Sequence, residues 1–168
     1  LSVLYTSGTS GLPKGVVISH RAFIARTLLR ISTLGLDDDA PDYVAWTPMF
    51  HVAGTDPLFA VCLLGGTYYV LEGFDVERIV DRIRTSRTAW LNLMPSTIER
   101  VLEYADEGDL HADEFPHLSY VGVMPDLVDP DKIQAVTELF DAEYVNTFGL
   151  TETGLAPASG NTIPVGVR

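Results

Sequence analysis

The chain has 168 residues, 46% hydrophobic and 20% charged, and its 23 acidic and 11 basic side chains give a formal net charge of −12. This length suits one domain with its own core, and the composition excludes a disordered or collagen-like chain. The acidic balance argues against nucleic acid as a partner, no apolar run is long enough to span a bilayer, and one cysteine cannot form an internal disulfide.

The first half of the chain predicts an alternation of strands and helices. A strand-like run is followed by a loop rich in glycine and hydroxyl groups, then by a β-branched strand and a helix capped by Ser19. The helix carries Phe23, Ile24, Thr27, Leu28 and Ile31. The predicted elements are strands at 1–5 and 16–18, the helix from Ser19, an acidic loop at 37–39, a strand at 43–46, a buried helix at 56–64 and a strand at 68–71.

The second half continues this pattern as far as a glycine- and proline-rich tail. The predicted elements are a helix capped by Asp75, a strand at 89–94, a helix capped by Ser96, a strand at 118–123, a helix from Asp129-Pro130, a strand at 144–148 and an irregular tail at 156–168. This alternation predicts an α/β fold with a mostly parallel sheet and helices on both faces. Ligands of such sheets bind at the carboxyl ends of the strands, here after Tyr5, Trp46, Val123 and Phe148.

The loop at 6–15 has the composition of an anion-binding loop. Its glycines let backbone N–H groups converge, its hydroxyl groups add donors, and Lys14 adds a positive charge. It is not a Walker A loop, because Gly15 follows Lys14 where Ser or Thr would bind magnesium. An ordinary glycine-rich hairpin loop is the alternative interpretation.

Three ordered motifs resemble those of the adenylate-forming enzymes, the superfamily that includes acyl- and aryl-CoA synthetases, luciferases and peptide-synthetase adenylation domains. YTSGTSGLPKGV at 5–16, with Ser19-His20-Arg21 after it, resembles their AMP-binding signature. PMFHVAG at 48–54 and NTFGLTET at 146–153 resemble their second and third motifs, and LMPST at 93–97 fits the junction between them. The sequence of the second motif is most like that of the acyl-CoA synthetases. The resemblance covers essentially the whole chain.

The resemblance implies a role for each motif. The first loop would hold the β- and γ-phosphates of ATP through Thr6, Ser7, Gly8, Thr9, Ser10, Gly11 and Lys14. Thr151 would bind the α-phosphate, Glu152 would hold Mg²⁺, and the ring of Phe148 would stack on adenine in place of the usual Tyr. Asn146, Gly149 and Gly122 would complete the nucleotide site, and His51 would lie near the reacting carboxylate.

The chain departs from the family at 120–125, where a Gly-Gly-Ala-like turn is usual. Only Gly122 fits that turn, and Val123 and Met124 are bulkier than the family's residues. The other histidines, His20, His111 and His117, lack metal-ligand spacing, and Cys62 is expected to pack in the core.

The implied activity is that of an acid–thiol ligase. A carboxylate would attack the α-phosphate of MgATP, and coenzyme A would then displace AMP to give a thioester. The alternatives are a non-catalytic nucleotide-binding module and an aryl- or amino-acid-adenylating segment. Residues 1–168 would be the central nucleotide-binding portion of the large N-terminal domain of a cytoplasmic enzyme. As a fragment, this portion would pack against missing parts of its parent chain. It would lack the lysine-bearing C-terminal domain and would therefore show weak turnover on its own.

Overall fold

A computed structural model describes residues 2–7, 11–36, 40–108, 110–155 and 160–167. Within these ranges the helices are His20–Leu34 (α1), Val52–Leu64 (α2), Val76–Thr85 (α3), Pro95–Gly108 (α4) and Pro130–Phe140 (α5). The strands are Ser2–Thr6 (β1), Lys14–Ile18 (β2), Tyr43–Ala45 (β3), Tyr68–Val70 (β4), Trp90–Leu91 (β5), Tyr120–Val121 (β6), Glu143–Val145 (β7), Gly149–Leu150 (β8), Gly154–Leu155 (β9) and Thr162–Ile163 (β10). No described helix has both the length and the apolar character needed to cross a membrane.

The central sheet is parallel apart from one edge strand. Strands β5, β6 and β7 pair in parallel, and β10 adds an antiparallel edge to β7. Strand β3 pairs in parallel with β4, and a parallel bridge between Asp42 and Thr88 links the start of β3 to the approach to β5. Ile163 and its neighbour give regular structure to a tail that was predicted to be irregular.

Helices cover both faces of this sheet, as the sequence predicts. Along β3, Val44 faces a core formed with α3, α4 and α5, whereas Tyr43 and Ala45 face a second core that contains Leu34 of α1 and Val61 of α2. This alternation follows from the two-residue period of a strand. The α/β architecture with helices on both faces is therefore confirmed.

Several helix boundaries follow the predicted capping residues. The side chains of Ser19, Asp75 and Asp129 accept hydrogen bonds from backbone N–H groups in the first turns of α1, α3 and α5. Two boundaries differ from the prediction. Helix α2 begins at Val52 rather than at residue 56, and α4 begins at Pro95, which places Ser96 inside the helix rather than at its cap.

The first two strands form a separate antiparallel hairpin, so Tyr5 does not end a strand of the parallel sheet as predicted. Strand β1 pairs along its whole length with β2, and the hairpin buries Leu4 and Ile18 against Phe23 of α1. This segment therefore pairs with its neighbour in sequence and does not join the central sheet.

One prediction of burial is wrong, because an apolar helix was taken to bury its cysteine. Cys62 is exposed rather than packed in the core. On α1, Ile24 and Leu28 are also exposed, and the buried stripe is Phe23, Thr27, Arg30 and Leu34. A charged residue, Arg30, is therefore part of the buried stripe of α1.

Candidate functional site

A cleft of about 430 Å³ opens where the parallel strands end. Residues that directly follow β3, β5, β6 and β7 line it, namely Trp46 and Thr47, Asn92 and Met94, Val123 and Met124, and Thr147. The start of α2, Arg30 of α1 and the β8–β9 hairpin form the remaining walls. The cleft thus lies at the edge of the sheet where ligands of parallel α/β folds bind.

The cleft has an exposed mouth and a buried polar floor. Phe50 is 78% exposed and Leu150 is 53% exposed, whereas Asp56, Trp90 and Asn92 are buried. A ligand entering at the mouth would therefore meet apolar side chains first and polar groups at the far end.

His51 lies at the mouth and caps α2. Its Nδ1 accepts a hydrogen bond of 3.1 Å from the backbone N–H of Ala53, and its side chain lines the cleft. An imidazole that accepts at Nδ1 carries its proton on Nε2 when neutral, so Nε2 can donate to a ligand. His51 therefore lines the cleft, and its place near the reacting carboxylate stays a prediction.

The third motif forms a tight hairpin from Gly149 to Leu155 beside the cleft. Gly149 lines the cleft, and a Cβ atom there would collide with the carbonyl oxygen of Gly154. Thr151 and Glu152 lie in the turn, with Thr151 half-buried and Glu152 exposed. The close approach of the two strands therefore requires glycine at 149, the φ of +69° favours glycine at 154, and the exposed Glu152 carboxylate is open to a cation.

The residues before that hairpin are ordered by local hydrogen bonds. The Asn146 side chain accepts from the backbone N–H of Phe148 at 2.9 Å, and Phe148 itself is 55% exposed. Gly122 is buried and has a φ of +87°, and a Cβ atom there would collide with the ring of Tyr144. Asn146, Phe148 and Gly122 do not line the cleft but adjoin Val123 and Thr147, which do.

The described residues of the first loop do not line the cleft. Thr6 and Lys14 face each other at the end of the β1–β2 hairpin, and Ser7 and Gly11 are exposed. Gly8, Thr9 and Ser10 are outside the described residues. Val52 links the two regions, because it packs on the hairpin core and also lines the cleft.

Three charged residues that the sequence reasoning missed are buried around the floor. Arg26 Nε lies 3.3 Å from a carboxylate oxygen of Asp56, and Arg26 Nη2 donates a hydrogen bond of 3.1 Å to the carbonyl oxygen of Thr151. Arg30 lies one turn further along α1, with its guanidinium carbon 4.5 Å from the centroid of the Trp90 ring. The i, i+4 arginine spacing and a lone carboxylate in an apolar helix were the available sequence signals.

Burial dominates the electrostatics of this cluster. Desolvation raises the pKa of Asp56 despite the nearby guanidinium groups of Arg26 and Arg30. Desolvation also lowers the pKa of Arg30, against the opposing effects of Asp56 and Tyr43. The floor is therefore a dry environment in which an unbalanced charge is costly.

Metal binding by the protein alone has little support in the described ranges. They contain no group of three or more His, Cys, Asp or Glu side chains that could hold a metal ion. A single exposed carboxylate such as Glu152 fits Mg²⁺ only when phosphate oxygens supply further ligands.

Known proteins are similar in sequence to this chain. A model of the AMP-binding enzyme family matches residues 1–165. The 4-chlorobenzoate–CoA ligase of Pseudomonas sp. strain CBS-3 is 31% identical over 153 residues, which are 89% of this chain and 28% of that protein. Peroxisomal OPC-8:0-CoA ligase 1 of Arabidopsis thaliana is 31% identical over 170 residues, which are 96% of this chain and 30% of that protein.

A solved structure shows the same fold. It is the o-succinylbenzoate coenzyme A synthetase of Bacillus subtilis in complex with ATP and a magnesium ion, with a TM-score of 0.73 and 19% identity. The match covers 89% of this chain and 30% of that one. The chain thus spans less than a third of the length of these relatives.

Proposed function

Because the chain belongs to the AMP-binding enzyme family, we propose that it serves ATP-dependent activation of a carboxylic acid and transfer of the acyl group to coenzyme A. The cofactors of this proposal are ATP, Mg²⁺ and coenzyme A as co-substrate. The observation that carries it is the cleft, which collects residues of the second and third motifs at one end of the parallel sheet.

The nucleotide would lie along the third motif and the first loop. We assign Thr151 to the α-phosphate, Phe148 to the adenine face, and Lys14 with its loop to the outer phosphates. Glu152 would hold Mg²⁺, which neutralises phosphate charge when bound. Local donors of this kind are needed because a net charge of −12 repels ATP at long range.

The acid would occupy the cleft with its reacting carboxylate at the mouth. A carboxylate oxygen attacks the α-phosphorus, the bond to pyrophosphate breaks, and the acyl-adenylate forms. The coenzyme A thiolate then attacks the acyl carbon, and AMP leaves. His51 would donate from Nε2 to the carboxylate or to the developing charge, so the chain would contribute positioning and charge neutralisation rather than a covalent nucleophile.

We also propose that residues 1–168 are the nucleotide-binding portion of a longer AMP-binding domain. Exposed apolar side chains on the hairpin and on α1 support this, including Tyr5 at 71%, Val17 at 67% and Ile24 at 58% exposure. They would pack against other parts of such a domain. A cytoplasmic location belongs to the same proposal, because the exposed Cys62 thiol is suited to a reducing compartment.

Titration calorimetry of MgATP tests the nucleotide site. We expect Glu152→Gln to weaken magnesium-dependent ATP binding about tenfold, because it removes the carboxylate assigned to the metal. Glu103→Gln is the matched control, since Glu103 is an exposed glutamate on α4 that does not line the cleft.

A hydroxamate-trapping assay across a panel of carboxylic acids tests the chemistry. Acid-dependent hydroxamate formation by a longer chain that contains residues 1–168 supports the ligase proposal, whereas MgATP binding with no response of that longer chain to any acid favours a non-catalytic nucleotide-binding module. Unchanged MgATP affinity in Glu152→Gln would remove Glu152 from its assigned role.

A further inference from the structure

The floor of the cleft contains buried polar atoms without partners. Among the described residues, Arg30 Nη1, Thr47 Oγ1, Asp56 Oδ1 and Asn92 Oδ1 have no hydrogen-bond partner, and all four side chains line the cleft. Buried polar atoms are almost always paired, and two of these four, Arg30 Nη1 and Thr47 Oγ1, can donate a hydrogen bond to a ligand in the cleft.

The charges at the floor are also unbalanced. Asp56 forms its ion pair with Arg26. Among the described residues, none forms a hydrogen bond or an ion pair with the Arg30 side chain. Arg30 is only 6% exposed, and its guanidinium rests on the Trp90 ring. Two buried cations thus share one carboxylate, and a bound anion would leave the cluster neutral.

A carboxylate complements the two donors at this floor, the Arg30 guanidinium and the Thr47 hydroxyl. Its two oxygens match the planar fork of a guanidinium, and the pairing strengthens in a dry site. The Thr47 hydroxyl can donate to the same group. The side chains of Trp90, Val123 and Met124 provide apolar walls for the carbons between the floor and the mouth.

We propose that the acid substrate carries a second carboxylate, remote from the one that is activated, and that Arg30 binds it at the floor of the cleft. This inference rests on the proposed function, because it places the acid in the cleft with its reacting end at the mouth. The substrate class is therefore dicarboxylic acids that are activated at one end.

Calorimetric titration with paired acids of equal carbon number tests the substrate class. The pairs are glutarate with valerate, suberate with octanoate, and terephthalate with 4-methylbenzoate, each titrated in the presence of MgATP. We expect at least one dicarboxylate to bind about 10- to 100-fold more tightly than its partner, as a charge-assisted hydrogen bond allows. Equal or weaker binding of the dicarboxylate in every pair would overturn the inference.

Variants of Arg30 test the residue. Arg30→Met should abolish the preference for the dicarboxylate and leave MgATP binding unchanged, and Arg30→Lys should retain part of the preference. Arg82→Met is the matched control, because Arg82 also lies 4.5 Å from an aromatic centroid, that of Tyr69, but does not line the cleft. A preference that survives in Arg30→Met would contradict the role of Arg30.

The two proposals fail in different ways. A chain that binds no MgATP and no acid contradicts the proposed function and the inference together. A chain that binds MgATP and prefers monocarboxylic acids keeps the proposed function and overturns only the second carboxylate. The ion pair between Arg26 and Asp56 is intact in Arg30→Met, so no buried charge loses its partner and the variant is expected to fold; its melting temperature is measured alongside.

Discussion

Replacement of Gly122 by alanine should destabilise the protein through two separable effects. The φ of +87° at this position is unfavourable for any L-residue by about 1–2 kcal/mol. The new Cβ atom would also lie 2.6 Å from Cε1 of Tyr144 and closer still to two other ring atoms. Tyr144 is fully buried, so the ring has no free space to move into, and overpacking of this kind costs about 1–3 kcal/mol.

A second glycine isolates the steric effect. Gly73 has a similar φ of +75°, but a Cβ atom there would meet nothing within 4 Å. Both substitutions reduce the entropy of the unfolded chain equally, so this contribution cancels in the comparison. We therefore expect Gly122→Ala to lower the free energy of unfolding by about 1–3 kcal/mol more than Gly73→Ala.

Urea denaturation followed by circular dichroism measures both variants against the unsubstituted chain. Combining Gly122→Ala with Tyr144→Leu should recover part of the loss, because the smaller side chain relieves the collision. Equal destabilisation by Gly122→Ala and Gly73→Ala would refute the reasoning, because it would show that the Tyr144 ring moves aside without lowering the free energy of unfolding.

Three further predictions concern buried or capping charges and polar groups. Asp42→Ala should lower the free energy of unfolding by about 2–3 kcal/mol, because both carboxylate oxygens accept backbone N–H groups at 2.7 and 3.0 Å. Burial opposes ionisation of Asp42, but those donors outweigh it and lower its pKa. Urea titrations should therefore show the difference in free energy of unfolding at neutral pH, and the difference should disappear as the pH falls through the folded-state pKa. A difference that stays constant in acid would contradict this. Asp56→Ala should lower the free energy of unfolding, measured by thermal denaturation, by about 3–5 kcal/mol, because it leaves Arg26 and Arg30 without a carboxylate. A decrease below about 1 kcal/mol would show that water solvates the two guanidinium groups instead. His51→Ala should lower the free energy of unfolding in urea by about 1 kcal/mol, because α2 loses its cap. His51→Asn should be more stable than His51→Ala, since asparagine can also cap a helix. Equal stabilities of the two variants would show that the His51 cap does not stabilise the protein.

Local signals predicted the elements whose boundaries are set by neighbouring residues. Asp129 followed by Pro130 specifies the start of α5, and the structure has the cap there. The start of α2 was missed because histidine is not a typical cap, although the His51 side chain performs that role. Strands such as β6 are shorter than their apolar runs, because pairing depends on the partner strand and not on residue type alone.

Long-range charge pairing could not be predicted from the sequence. Arg30 occupies the buried stripe of α1 only because Trp90 and Asp56, both distant in sequence, meet it there. The motifs named residues around the cleft, such as His51 and Gly149, but gave no information about its floor. A motif describes the shared chemistry of a family, whereas the floor depends on side chains that lie outside the motifs.

Trp46 and Trp90 are the two tryptophans of the chain, and both line the cleft. The Trp46 indole N–H donates to the carbonyl oxygen of Asn92 at 2.7 Å, and Trp90 lies beneath the Arg30 guanidinium. All tryptophan fluorescence of this protein therefore originates at the wall of one cleft. A change in emission on adding an acid would report occupancy of that cleft directly, without a label or a coupled assay.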